Sequence, residues 1–434
     1  MSLQYISKKT SRLYKHPTGA SYNQILIFGE EVRIEGNVIN GRVKAIYRNK
    51  YEGYIKIAHL KEQASLEVYF IDVGQGDAAF IITPERKKIL IDGGSNSQAR
   101  GFLSWKFQLA NENAPNLVID LLVLTHADSD HLKGLIPILE HDKIEVRQII
   151  HNGIGLFLGM DEKSGNLSTN KKHLITYHNK LSELINLPLR RTFKRWIELI
   201  GRLNIPYRAV SNQTSNFNIG DSTVNIEILG PILEKDSNNF TQLKWFGNHS
   251  HTINGHSVML RLIYGEIKIL FSGDINIEGS EYLMEHPQST LQLRAHVFKS
   301  PHHGSHQFHY PLLEAVRPQI SIISSGDSPD HGHPRANFIG AVGLASRSKN
   351  PLVFSTEIAA TFVDANEIDI TNVIPRSVIR PTDLKKARIF KKILHGMINI
   401  RTDGKALYAM RRVNASYWWE SYGPLTPADY PSIF

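Results

Sequence analysis

Four side chains of metal-ligand type fall within six residues, His126, Asp128, Asp130 and His131, in the stretch Thr125-His-Ala-Asp-Ser-Asp-His. In an extended segment positions 126, 128 and 130 project to one side, and His131 turns with the amphipathic run Leu132 to Leu139 that it opens. Four donors can then converge on one or two cations. The plainer reading is a polar loop in which histidine and aspartate cap the next helix. A chance His-x-Asp-x-Asp-His match arises on the order of once in a few hundred chains of this histidine and acid content, which favours the metal.

Further donors stand downstream at Ser272-Gly-Asp274, Pro301-His302-His303-Gly, Gly332-His333-Pro and in the run Asn248 to His256. Cysteine is absent, so any metal must be held by nitrogen and oxygen donors, and no disulfide can form. Two cations roughly 3.5–4 Å apart lower the pKa of a bridging water and stabilise the attacking and leaving oxygens of an in-line displacement at phosphorus. No protein nucleophile is then required. None is visible either: there is no Gly-x-Ser-x-Gly elbow and no phosphate-cradling glycine loop. The leaving oxygen wants a proton, which His303, His306 or His333 could supply, and each could equally orient a ligand from behind.

Several elements must position these residues. An apolar run from Leu117 to Leu124 reads as one buried strand that delivers His126. Leu66 to Phe70 reads as a strand entering a glycine-bearing turn, and Ala78 to Thr83 with Lys88 to Asp92 as a hairpin. Strands are expected at Val224 to Leu229, Val258 to Ile263, Lys268 to Phe271 and Gln319 to Ser324, with a helix from Pro311 to Val316. Gly247 and Gly255 mark the stretch between them as loop. A helical insertion is expected over 161–208, where Phe193, Trp196, Ile197, Ile200 and Leu203 recur at helical spacing. Its other side is basic, with Lys171, Lys172, Arg190, Arg191, Lys194 and Arg195 among the cations. This is either a solvated face or a track for nucleic-acid phosphates.

Residues 1–64 read as a separate small β domain, with alternating segments at Gln24 to Phe28, Glu31 to Glu35, Gly41 to Tyr47 and Glu52 to Ile57. Their order, with Tyr14 and Pro17 ahead of Ile25-Leu-Ile-Phe-Gly-Glu and Glu52-Gly-Tyr-Ile near the end, resembles bacterial SH3-like modules. The resemblance implies a protein partner, or an appendage packed on the main domain. Residues 366–434 are basic and aromatic, with a hairpin expected around Asp403-Gly404. Arg411, Arg412, Tyr417, Trp418, Trp419 and Tyr422 follow it, suited to stacking on single strands or to sealing a sheet edge.

The succession Asp72-Val-Gly-Gln-Gly-Asp77, Leu90-Ile-Asp92-Gly-Gly, Thr125-His-Ala-Asp-Ser-Asp-His, Phe271-Ser-Gly-Asp and Ser300-Pro-His-His-Gly-Ser resembles the metallo-β-lactamase-fold domain of the ComEC type of DNA-uptake protein. It covers residues 65–365. The resemblance implies an α/β fold, an αββα sandwich, with a binuclear site at one edge. The first metal would take His126, Asp128 and a mid-chain histidine, with His256 the choice and His251 and His151 the alternatives. The second would take Asp130, His131 and His302 or His303, with Asp274 bridging. Asp130, Asp274, His303 and His333 would carry the catalysis, and Asp92, Asp72 and Asp77 would support the ligands from behind; for Asp72 and Asp77 a hydrogen-bonded turn is an equal alternative. The commonest form of the motif has histidine in place of Asp128, and ComEC-type sequences share the aspartate. That oxygen-richer site favours two manganese ions, with zinc the alternative.

The formal charge of +9 favours polyanionic partners. With the resemblance it leads to a metal-dependent phosphodiesterase, a nuclease acting on DNA through a metal-bridged hydroxide. A hydrolase of a small phosphodiester or a carbonyl substrate is one alternative, and a non-catalytic binding scaffold another. No stretch approaches the roughly 18–20 apolar residues of a membrane span, and the N-terminus lacks an apolar signal region, so a cytoplasmic protein without membrane partners is expected.

Overall fold

The computed structural model describes residues 2–48, 50–215, 217–286, 292–326, 332–357, 396–413 and 418–427. Alternation along its strands explains the architecture. In Leu121–Leu124, Leu121 and Val123 join the core between two stacked sheets, while Leu122 and Leu124 join a second core beneath helices. A strand covered on both faces must be apolar throughout, and this one is.

The first sheet has nine strands, in the spatial order Tyr207–Ala209, Ile149–His151, Leu121–Leu124, Lys88–Ile91, Ala79–Ile82, Leu66–Phe70, Ile398–Thr402, Leu407–Val413 and Trp418–Leu425. The second has six: Val224–Gly230, Met259–Tyr264, Ile267–Phe271, Val297–Lys299, Ile320–Ile323 and Leu352–Ser355. Phe70 and Phe271 meet between them with ring centroids 5.9 Å apart. Helices Gln98–Phe107 and Arg191–Arg202 cover the outside of the first sheet through Leu103, Trp196 and Ile200. Helices Ile277–Met284, Tyr310–Val316 and Ala336–Ala345 cover the second through Leu283, Leu313 and Phe338. This is the α/β, αββα sandwich expected.

Three expectations need correction. The run from Leu117 to Leu124 is two strands, because Asp120 interrupts it: its carboxylate accepts from the Lys88 amide at 2.9 Å and from Arg147 at 2.8 Å. Leu117–Ile119 then pairs with Ile144–Val146 in a separate ribbon. The 161–208 stretch is helical chiefly at Arg191–Arg202, where Phe193, Trp196, Ile197 and Ile200 form a buried face; Leu203, past its end, is 45% exposed. Upstream the chain pairs locally instead, Phe157 with Leu189 and Leu167 with Leu174. Finally, His249–Gly255 is a helix rather than a loop, started by Asn248, whose side chain accepts from the His251 amide.

Seven strands within residues 2–61 form a third sheet around Ile6, Leu13, Leu26, Val43 and Ile55. Besides strands near those expected, it contains Ser2–Ile6 and Thr10–Tyr14, which the sequence pattern did not reveal. The hairpin around Asp403-Gly404 is present and extends the nine-stranded sheet by pairing Ile398–Thr402 with Leu66–Phe70. Tyr417 lies outside the described residues. Tyr422 packs on Phe354 at 5.3 Å.

Arg401 of that hairpin donates to the Phe28 carbonyl of the N-terminal sheet at 3.0 Å and lies 3.3 Å from buried Glu67. Burial alone would raise the Glu67 carboxyl, but Arg401 and then Lys106 outweigh it and lower it from 4.5 to about 2. A depressed carboxyl contributes stability that is complete above its unfolded pKa and lost as pH falls through the folded one. A loss on the order of 3 kcal/mol is therefore expected between about pH 5 and about pH 2, read from urea midpoints and missing in Glu67→Gln.

Candidate metal centre

Parallel strands bring their carboxyl ends to one edge, and side chains that emerge there share a groove. Lys88–Ile91 runs parallel to Leu121–Leu124, so Asp92 emerges beside Thr125 and His126. In the other sheet Ile267–Phe271 runs parallel to Val297–Lys299, which sets Asp274 beside His302 and His303. The loop carrying Asp77 closes in through Gly76, at φ +128°, where a Cβ would stand 2.2 Å from the Asp130 carbonyl oxygen. Only glycine permits that approach.

Asp130, His131, Asp274 and His303 each offer a donor atom, and all four atoms lie within 4.8 Å of one another. Asp274 Oδ2 is central, 2.9 Å from His303 Nε2 and 3.3 Å from His131 Nε2; His303 Nε2 is also 3.2 Å from Asp130 Oδ2. Beside this group His126 Nε2 lies 3.8 Å from Asp128 Oδ2, and the His126 ring is 4.0 Å from that of His131. The Nε2 atoms of His126, His131 and His303 are buried without a hydrogen-bond partner among the described residues. Buried imidazole nitrogens aimed at carboxylates fit divalent cations.

The opposite ring nitrogens are occupied. His131 Nδ1 meets Asp92 at 2.8 Å, and His303 Nδ1 meets the Ser324 carbonyl at 3.0 Å, which leaves each Nε2 facing the groove. Asp92 is fully buried and also accepts from the Thr125 amide at 2.8 Å and the Thr125 hydroxyl at 2.6 Å. Asp77 pairs with Lys299 and lies 3.3 Å from His303 Nδ1. Burial, then the neighbouring Asp130, pushes Asp128 up to about 6. Burial, with His131 beside it, pushes His126 down to about 3, so its imidazole is neutral and available as a donor. Thr125→Val keeps the packing and removes a donor from Asp92. It is expected to weaken divalent-metal binding about 10-fold or more, by calorimetric titration.

Other expected residues lie elsewhere. His256 is outside the donor group: its Nε2 is engaged by the Lys244 carbonyl at 2.8 Å and its ring stacks on Phe246. His251 pairs with Glu278 at 2.8 Å, and His151 stacks on Tyr207. His302 and His333 flank His303, with ring centroids 6.2 Å from it in each case. Asp72 accepts from the Gly74 amide within its own turn. Of the basic residues, Lys171, Lys172, Arg191, Lys194 and Arg195 are exposed, with Arg195 tied to Glu140 at 2.5 Å and Lys194 3.8 Å from Glu198. Arg190 donates to the Phe157 carbonyl and, with Lys163, acts on His249, which burial first and these cations second hold below 6.5.

Three residues of the groove escaped the sequence reading: Thr125, Ser257 and Lys299. Ser257 accepts from the Asp274 amide at 3.1 Å. Lys299 carried a signal, since lysine closing an apolar strand is buried only when paired.

A sequence model of the Metallo-beta-lactamase superfamily matches residues 71–326, more than half of the chain. The chain belongs to that superfamily. It is also 24% identical over 281 residues to ComE operon protein 3 of Bacillus subtilis (strain 168), a match that covers 62% of this chain and 29% of that protein. The chain thus spans well under two thirds of that relative's length. Among solved structures it is similar to Tm1679, a metal-dependent hydrolase of the beta-lactamase superfamily, at 9% identity and a TM-score of 0.36, covering 68% of this chain and 97% of that one. It is similar as well to a motif mutant of a metallo-beta-lactamase from Cronobacter sakazakii, at 12% identity and a TM-score of 0.28, covering 53% and 75%. The donors of the His/Asp cluster all lie within the matched stretch. Among the described residues no helix is long and apolar enough to cross a membrane.

Proposed function

We propose that the protein is a phosphodiesterase that cleaves DNA with two divalent cations, manganese by preference. The observation that supports this most is the meeting of Asp130, His131, Asp274 and His303 from three separate segments of the chain. Divalent cations held there would supply an activated water and charge neutralisation at phosphorus. In this reading His126 and Asp128 would hold one cation, Asp130, His131 and His303 the other, and Asp274 would serve both. His333, whose ring centroid lies 6.2 Å from that of His303, would hand a proton to the leaving oxygen. DNA is favoured by the likeness to ComEC-type domains and by the charge of +9. The N-terminal sheet would then serve as an SH3-like module for a protein partner.

The test is a metal-resolved panel: the protein with manganese, zinc or magnesium against DNA, RNA, a cyclic nucleotide and a generic phosphodiester. Manganese-supported cleavage of DNA, abolished by chelator and restored by the metal, is the expected result. No cleavage of DNA under any of the three metals would overturn the reading. Charge reversal at Lys171, Lys172, Arg190 and Arg191 is expected to raise KM for long DNA on the order of tenfold at low salt, with little change for the generic phosphodiester. Equal effects on both substrates would remove those residues from the DNA path.

A further inference from the structure

Lys299 closes the strand Val297–Lys299 and is 3% exposed, an environment that lysine tolerates only with its charge matched. We propose that Lys299 is a positioning residue of the metal centre: it holds Asp274 by one carboxylate oxygen, so that the other oxygen alone faces His131 and His303. An ammonium has three protons to place. It pairs with Asp77, donates to the Gly273 carbonyl at 3.0 Å, and stands 3.5 Å from Asp274 Oδ1, an ion-pair contact rather than a hydrogen bond. Asp274 Oδ2 is thereby directed the other way, to 2.9 Å from His303 Nε2 and 3.3 Å from His131 Nε2.

The same lysine reaches the histidine indirectly. Asp77 uses one oxygen on Lys299 and sets the other 3.3 Å from His303 Nδ1. The backbone of Asp274 is fixed separately, by its amide on Ser257 Oγ. The lysine touches both the carboxylate and, through the Gly273 carbonyl, the turn that carries it. An aspartate restrained in this way can join two cations only through a single oxygen. The inference rests on the metal-binding part of the proposed function and is independent of DNA as substrate.

Lys299→Met alone would strand Asp77, so the informative variant is Lys299→Met with Asp77→Asn, which removes one charge of each sign and leaves the net charge unaltered. Chelator competition with manganese, without substrate, is expected to show binding 10–100-fold weaker than in the unaltered protein. The manganese paramagnetic resonance spectrum should change as well. Asp77→Asn alone, which leaves Lys299 beside Asp274, should lose clearly less than the pair. A double variant that binds manganese as tightly as the parent with the same spectrum overturns the proposal, as does an Asp77→Asn variant that loses as much as the pair. A manganese-soaked crystal of the unaltered protein reads the same point without substitution. Coordination through Asp274 Oδ2, with Oδ1 still on Lys299, is expected, and coordination through both oxygens contradicts it. Absent DNA cleavage would fail the substrate reading and leave these results standing.

Discussion

Asp130→Ala is expected to lower kcat/KM for a phosphodiester at least about 10³-fold, a barrier increase of about 4 kcal/mol, with little change in thermal midpoint. The two effects separate because the side chain and backbone of Asp130 do different things. Its carboxylate reaches His303 at 3.2 Å, is 27% exposed, and leaves no deep cavity when removed. Its carbonyl accepts from the Asp77 amide, and alanine keeps that bond. Burial would push the carboxyl up, but the neighbouring His303 and then His131 hold it well below the usual carboxylate range, so an anion is what the substitution deletes. Single-turnover rates at saturating manganese, beside calorimetric melting, make the comparison. Undiminished hydrolysis would remove Asp130 from the centre.

Arg401→Met should leave the chemistry untouched and cost about 3–5 kcal/mol of stability, the range for removing one partner of a buried ion pair. Arg401 is 4% exposed and fully engaged: Nε with Asn399 at 2.6 Å, Nη1 with the Phe28 carbonyl at 3.0 Å, and Nη2 with the Tyr69 hydroxyl at 3.1 Å. Methionine retains much of the volume and none of the charge, leaving Glu67 with the Tyr69 hydroxyl and with Lys106 at 3.6 Å. Glu67→Gln in the same background should recover more than half of the loss, because the damage is an unmatched carboxylate rather than a missing contact. Urea denaturation of the two variants and the parent decides it. A single variant as stable as the parent would mean that the seam between the N-terminal sheet and the nine-stranded sheet does not depend on this charge.

The strands that carry the centre could be read from the sequence because their continuous apolar runs and the residue types at their ends agree. Leu121–Leu124 needs both faces apolar, and the donors begin where the apolar run stops. What stayed hidden was tertiary. Gly255 resembles a loop marker, yet it ends a helix, and it is glycine because a Cβ there would stand 2.6 Å from the Phe246 ring, while a Cβ on Gly279 of the next helix would stand 2.5 Å from its Cα. That close helix contact fixes the end of the helix where His256 turns onto Phe246, away from the donors. His302 and His303 are indistinguishable in sequence, and both adopt positive φ; the tight turn between them sends only His303 to Asp274. Asp120 gave no sign that it would divide a strand, since the Lys88 amide and Arg147 that hold it come from elsewhere in the chain.

Anomalous scattering at the manganese edge, from crystals grown with the metal, tests most directly whether these histidines and aspartates form a metal centre. The expected result is one peak enclosed by Asp130, His131, Asp274 and His303, and a second beside His126 and Asp128. Crystals saturated with manganese that show no peak at either position, or peaks only at distant surface carboxylates, would contradict it.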